Sequence, residues 1–435
     1  MIKEKKAFWL ILKVSGLLVF LFWSFAYFRT EAKPIFAPLY ATLDFKNSWL
    51  LLPLVFLNYG LLIQSLNKKR PNFFQVFLLG FVLVITINFL KSGSTFYDSL
   101  KDGNNYYQDS LKIEDLKKFL SGFDSHIYYY NLHTRTHPPG PVILHYFLNK
   151  IGLNQIIFSS LMMILLSMAV LFPISKIAII FKNPYKFLIL LLFSSPGFLI
   201  YSATCMDTVF ATLVSLAFYF ILRLRKKVSA VNVVLAAITA FLALFFSYAA
   251  VIIPFFSLFL IILSKFKSKK FILSQLAVYP VVGLIYLFLF FITGFKPIAS
   301  FFSSRTFNSM LMPDIFMTFK RYIYSVGANF VEYIIFLGLP IFALFLLNLI
   351  LLVKKRKTTI NFSFYLAFLT PMVLLNFLGV YKTGPWSGET GRIWFFLTPL
   401  IISGIKIKNE NLLKIASFLS FFQTVIMQLL LNFFW

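Results

Sequence analysis

The sequence predicts an all-α, polytopic integral membrane protein, and three observations carry that prediction. Sixty per cent of the 435 residues are hydrophobic and 13% are charged, with a mean hydropathy of +0.84. That is too apolar for a water-soluble globule of this length. The apolar residues come in runs of about 20, the length that crosses a bilayer as a helix. The net charge of +27 sits in short basic clusters between those runs: "KEKK" (3–6), "NKKR" (67–70), "RLRKK" (223–227), "KFKSKK" (265–270), "KKRK" (354–357) and "KIK" (406–408). Basic punctuation of this kind marks cytoplasmic loops, not a nucleic-acid-binding surface.

The elements follow in order. The first run, 8–28, has no small-residue cleavage site after it and reads as a retained span. With the basic clusters inside, the N-terminal helices occupy 1–91, with spans near 8–28, 48–66 and 72–91. An extracytoplasmic loop covers 92–154. A transmembrane core, 155–293, holds spans near 155–181, 186–201, 205–222, 229–247, 249–264 and 271–293. A second outer loop runs over 294–327, and C-terminal helices fill 328–435, with spans near 328–353, 360–380, 392–405 and 411–432. This makes about thirteen helices in one domain, with boundaries good to a few residues. Pro196 is a candidate break within 186–201. The lone cysteine, Cys205, excludes an internal disulfide.

The acids point to one face. Of fourteen, only Glu4 and Glu410 fall on the cytoplasmic side; the rest, including Asp98, Asp102, Asp109, Asp124, Asp207, Glu332 and Glu389, fall on or near the outer side. Positive-inside sorting alone would tolerate acids in outer loops. It does not explain Asp207, which is set in "SATCMDTVFATLVSLAF", where an ionisable group is costly and marks a functional position.

The outer loop is the informative stretch. In "YYQDSLKIEDLKKFL" (106–120) apolar residues gather on one helical face, which predicts an amphipathic helix along the membrane surface. Asp109 stands near its start, where an N-cap would explain it as well as catalysis. "HTRTHPPGP" (133–141) follows. A residue before proline leaves the α region, so His137 should be extended, and Pro139 or Pro141 can open the next helix. That helix, "VILHYFLNK", is too short to span. Arg135 and His137 are thereby held at the membrane edge, where arginine is a bidentate phosphate ligand and histidine a donor. Lipid headgroups would account for Arg135 equally. The prolines rule out a helical HxxxH metal face for His133 and His137.

These residues resemble a family. "HTRTHPPGPVILHYFLNKIG" looks like the "HPPG" element of GT-C-type membrane glycosyltransferases, a group that includes protein O-mannosyltransferases and the aminoarabinose transferases of lipid A. "GETGRIWFFLTPL" (388–400) resembles a carboxy-terminal "GE..RIW...P" pattern of the same group, and "SPGFLIYSATCMDTVFATL" (195–213) its proline-then-aspartate helix entry. The three together span much of the chain. The resemblance implies transfer of a sugar from a polyprenyl-phosphate donor to an acceptor hydroxyl, inversion at the anomeric carbon, and an active site on the outer face of the plasma (inner) membrane. It implies Asp109 as base, 28 residues before His137, with Arg135, His137 and Arg392 around the phosphate. The group's usual acidic pair reads Asp109-Ser110 here, so Asp98, Asp102 and Asp124 compete.

Other candidates complete the set. Glu389, Arg392 and Trp386 occur together; the indole could stack on a sugar, or the three could close a loop as an ion pair beside an interfacial tryptophan. Asp207 could orient Arg392 or His137. Arg305, Lys320 and Arg321 in the second outer loop suit a lipid phosphate or anionic headgroups equally. A donor that carries its own activation needs no nucleotide loop, and no acidic cluster demands a metal, although the outer aspartates could hold one. Two rivals differ in kind. A polysaccharide polymerase or ligase would move a lipid-linked oligosaccharide. A transporter or flippase would show paired discontinuous helices with a midplane site.

Overall fold

The computed structural model describes residues 2–29, 41–43, 49–92, 95–101, 105–263, 268–311, 319–354, 360–377 and 390–433, and it is all-α apart from one two-stranded clip. Ala41–Leu43 pairs antiparallel with Leu431–Phe433, Thr42 opposite Asn432, and so joins a segment beyond the first helix to the one after the helix Glu410–Leu430. Among the described residues five helices are long and apolar enough to cross a bilayer: Trp49–Asn67, Ile156–Phe181, Asp207–Lys226, Lys269–Thr293 and Glu410–Leu430. Two bent pairs raise the number to seven. Shorter apolar helices, Phe73–Phe89, Ala230–Phe246, Tyr248–Leu263 and Ser363–Leu374, pack among them. The segment expected as a span at 392–405 forms two short helices, Thr390–Ile393 and Leu397–Ser403. Seven residues rise only about 10 Å, far short of a bilayer.

Both bends have local causes. Tyr185–Leu192 and Pro196–Ala203 meet at 60°, because Pro196 opens a new helix after an extended Ser195. Val326–Leu337 and Leu339–Lys354 meet at 104° around Gly338, whose φ of +100° suits glycine alone. The two bends touch: Ser195 Oγ donates to the Phe336 carbonyl at 3.2 Å. Backbone groups freed at the breaks are taken by side chains of neighbouring helices. Thr424 Oγ1 donates to the Ser194 carbonyl at 3.2 Å. Gln423 accepts from Leu339 N at 2.9 Å and donates to the Ile335 carbonyl at 2.8 Å.

Several basic residues lie together where the helices Trp49–Asn67, Tyr185–Leu192 and Glu410–Leu430 bring their ends near one another. Lys186 Nζ donates to the Lys68 and Lys69 carbonyls at 2.6 and 3.1 Å, Asn183 binds the Ser403 carbonyl at 2.9 Å, and Lys414 lies over the Phe187 ring. Asp207 begins a 20-residue helix whose last turn carries Arg223, Arg225 and Lys226. Its carboxylate is therefore about 30 Å along that axis from the helix's basic end. Around the Asp207 end, Leu100, Tyr107, Phe119, Phe123, Val142 and Phe295 form a small core of their own. It anchors the segment 95–150 onto the ends of the longer helices.

Candidate active site

The segment 105–150 is built from short helices, not one long one. The amphipathic helix expected over 106–120 is interrupted. Tyr106–Leu111 ends at Lys112, and Leu116–Ser121 begins again at Asp115, whose carboxylate accepts from Lys117 N and Lys118 N at 2.7 and 3.1 Å. Asp115 is thus an N-cap, and those bonds hold its carboxyl below the usual range. Asn105, not Asp109, caps the first helix. Asp109 reaches across instead. Its Oδ2 accepts from Asn131 N at 2.8 Å, and its Oδ1 meets the exposed Lys112 ammonium at 3.1 Å. The carboxylate is almost wholly buried and pins the chain where it enters the helix Leu132–Thr136.

The proline stretch folds as its sequence requires. His137 closes that five-residue helix in an extended conformation, φ −129° and ψ 163°. Gly140–Lys150 follows, with Pro139 as N-cap and Pro141 in its first turn. Gly140 is there because nothing larger fits: a Cβ would lie 2.2 Å from the Phe245 carbonyl oxygen. His145 is buried on this helix, its Nδ1 2.9 Å from Ser159 Oγ and its ring edge-on to Tyr107.

Three distant stretches converge beside His137. The Tyr106 ring lies 5.8 Å from the rings of both His133 and His137. Arg392 Nε is 3.5 Å from Asp207 Oδ2, a long ion pair at the start of the helix that Asp207 opens. The charges of Asp207 and Arg392 act on Tyr106 and His137, and that of Arg392 on His133. Burial pushes the Tyr106 phenol well above its ordinary value, and the Asp207 charge adds to this. Burial pushes both imidazoles down, with Arg392 acting in the same direction and Asp207 opposing it at His137. Both histidines are accordingly neutral near pH 7. The Nδ1 of His137 lies 3.0 Å from the His133 carbonyl, which can only accept, so Nδ1 is assigned the proton. The neutral ring then offers Nε2 as an acceptor, and it meets a phosphate as a donor only after taking up a proton.

The remaining candidates fall elsewhere. Arg135 donates through Nε to the Tyr130 carbonyl, and its guanidinium covers the Phe307 ring at 5.1 Å. It joins the helix Leu132–Thr136 to the helix Pro297–Leu311 rather than to the histidine cluster. Arg305 is exposed on the helix Pro297–Leu311. Lys320 and Arg321 fall on the helix Phe319–Leu337, but their side chains, like Asp102, Trp386 and Glu389 as a whole, lie outside the described residues. Asp98 pairs with Lys101 at 3.4 Å in solvent. Among the described residues no three His, Cys, Asp or Glu side chains are grouped as a metal site needs. Sequence reasoning gave Tyr106 no role; the signal available was its place one turn before Asp109. Glu332, placed outside but given no task, turns out to hold the segment that carries Arg392. No protein-family model matches this chain, and no curated protein matches it either.

Proposed function

We propose that this protein is a membrane glycosyltransferase that moves a sugar from a polyprenyl-phosphate donor to an acceptor hydroxyl, with inversion. The observation that carries the reading is the convergence of Tyr106, His133, His137, Asp207 and Arg392 at one end of an apolar bundle. The chemistry asks for few groups. The bond between the anomeric carbon and the phosphate oxygen breaks, and polyprenyl phosphate leaves. Arg392 stabilises the charge that develops on that oxygen. The acceptor oxygen bonds to the anomeric carbon, and its proton passes to a carboxylate. Asp109 takes that proton, as the resemblance implies; it sits one turn from Tyr106 and must release Lys112 or Asn131 to do so. Asp207 orients Arg392. We place the site on the outer face of the plasma membrane, because Asp207 lies at the opposite end of its helix from Arg223, Arg225 and Lys226, which positive-inside sorting keeps in the cytoplasm.

The test is transfer from radiolabelled polyprenyl-phosphate sugars by reconstituted protein. Transfer by the wild type that disappears in Arg392→Ala supports the proposal; no transfer from any such donor overturns it. Transfer of a whole oligosaccharide would make it a polymerase or ligase.

One observation favours a transporter. Two helices are broken, and the breaks lie against each other, as inverted-repeat carriers require. The groups freed at the breaks are bound by Thr424 and Gln423. In a carrier they would be offered to cargo, so the transferase reading is the better supported.

A further inference from the structure

Arg392 rides on a helix of four residues, Thr390–Ile393, too short to be stable by itself. Something else must fix its direction. The backbone N–H groups of Thr390 and Gly391 each donate to one oxygen of Glu332, both at 3.0 Å. Glu332 has no solvent-exposed surface and lies on the helix Phe319–Leu337. One turn earlier, Asn329 accepts from Thr390 Oγ1 at 2.8 Å and donates to Asn376 Oδ1 at 3.1 Å. One turn later, the Phe336 ring fills the space where a Cβ on Gly391 would be, 2.1 Å away. Tyr333 and Phe330 set their rings against Trp394. Positions 329, 332, 333 and 336 form one face of that helix, and the face grips the segment 390–394 by its backbone.

A buried carboxylate is costly unless its hydrogen bonds are complete. Here two backbone donors face two acceptor oxygens. A glutamine would present one oxygen to one of them and an NH2 group to the other, setting donor against donor. Such a site needs a charge, and the charge does not touch the reacting atoms. We propose that Glu332 is a positioning residue: it aims Arg392 at the phosphate by holding the first two amides of the helix that carries it. This rests on the reading of Arg392 as phosphate ligand given above.

Four proteins in detergent test it: wild type, Glu332→Gln, Arg392→Ala and the double variant. The first readout is amide hydrogen exchange at 390–394. Glu332→Gln should speed it by about tenfold or more, as expected for lost bonds to a charged acceptor, with the other helices unchanged. Unchanged exchange there overturns the proposal. The second readout is affinity for farnesyl phosphate. Glu332→Gln should weaken binding about tenfold, and the double variant should bind no more weakly than Arg392→Ala alone. Additive losses mean that Glu332 acts other than through Arg392 and overturn the positioning role. Equal binding by wild type and Arg392→Ala removes the phosphate reading, while faster exchange still assigns Glu332 to the helix. If Glu332→Gln does not fold, Glu332→Asp, which keeps the charge but falls one methylene short, carries the same comparison.

Discussion

Arg392 and Asp207 face each other at 3.5 Å, with 9% and 17% of their side chains exposed. Each shields the other, so removing one leaves a largely buried charge behind. Arg392→Ala should lower kcat by about 10²-fold or more, because the charge it meets develops in the transition state, and should also raise the KM for the polyprenyl-phosphate sugar. Arg392→Lys should recover only part of the loss, because an ammonium lacks the planar fork. Initial rates across donor concentration check this; a lysine variant equal to wild type would show that charge alone suffices.

The two carboxylates should separate kinetically. Asp109→Asn should lower kcat by about 10²–10⁴-fold, the usual share of a general base, with little change in KM. Asp207→Asn should raise KM as well, through Arg392. Lys112 is exposed beside Asp109, so Lys112→Ala should leave turnover within about twofold. Full activity in Asp109→Asn would remove it as the base.

Gly140→Ala should destabilise the fold, because the new Cβ meets a backbone oxygen at 2.2 Å, which yields less easily than a side chain. The expected loss is about 1–3 kcal/mol, with transfer impaired because Gly140 begins the helix behind His137. Thermal unfolding in detergent reads the first effect. An alanine variant with wild-type stability would mean that the two helices can separate without penalty.

Acid should loosen the segment 105–150 through His145. Burial lowers its pKa to about 4, against about 6.5 in an unfolded chain. Below pH 6.5 the unfolded chain takes up a proton that the folded one refuses. Stability from this group is therefore complete above pH 6.5 and lost progressively down to about pH 4, by about 3 kcal/mol in all. His145→Gln should flatten that part of the acid limb in melting curves between pH 7 and 4. His133 and His137, lowered by burial too, should leave a residual slope.

What the sequence made legible was whatever depends on local chemistry. Apolar runs give helices, Pro139 and Pro141 start one, and Pro138 forces His137 to be extended. Asp207 stood out because a charge in an apolar run is conspicuous. The rest depends on pairing across long separations, which periodicity does not record. Nothing local says that Asp109 will accept from Asn131 N, that Asp115 will interrupt the amphipathic helix, or that Arg135 will turn to Phe307. Glu332 carries no mark in sequence that distinguishes a helix holder from an acid tolerated at a membrane edge. Its task appears only with Thr390 and Gly391 beside it.

The last long helix, Glu410–Leu430, has a consequence for biogenesis. Gln428 binds Asn88 Oδ1 at 3.0 Å, Thr424 takes the Ser194 carbonyl, and Gln423 bridges the break at Gly338. Helices that leave the ribosome earlier thus carry polar groups whose partners are made later. Until that helix inserts, Asn88 Oδ1 and the backbone groups at the two breaks lack these partners, and a nascent chain stalled before Glu410 should be a substrate for membrane quality control. Pulse-chase of a truncation at 409 reads this directly: rapid degradation is expected, and a half-life equal to the full chain would refute it.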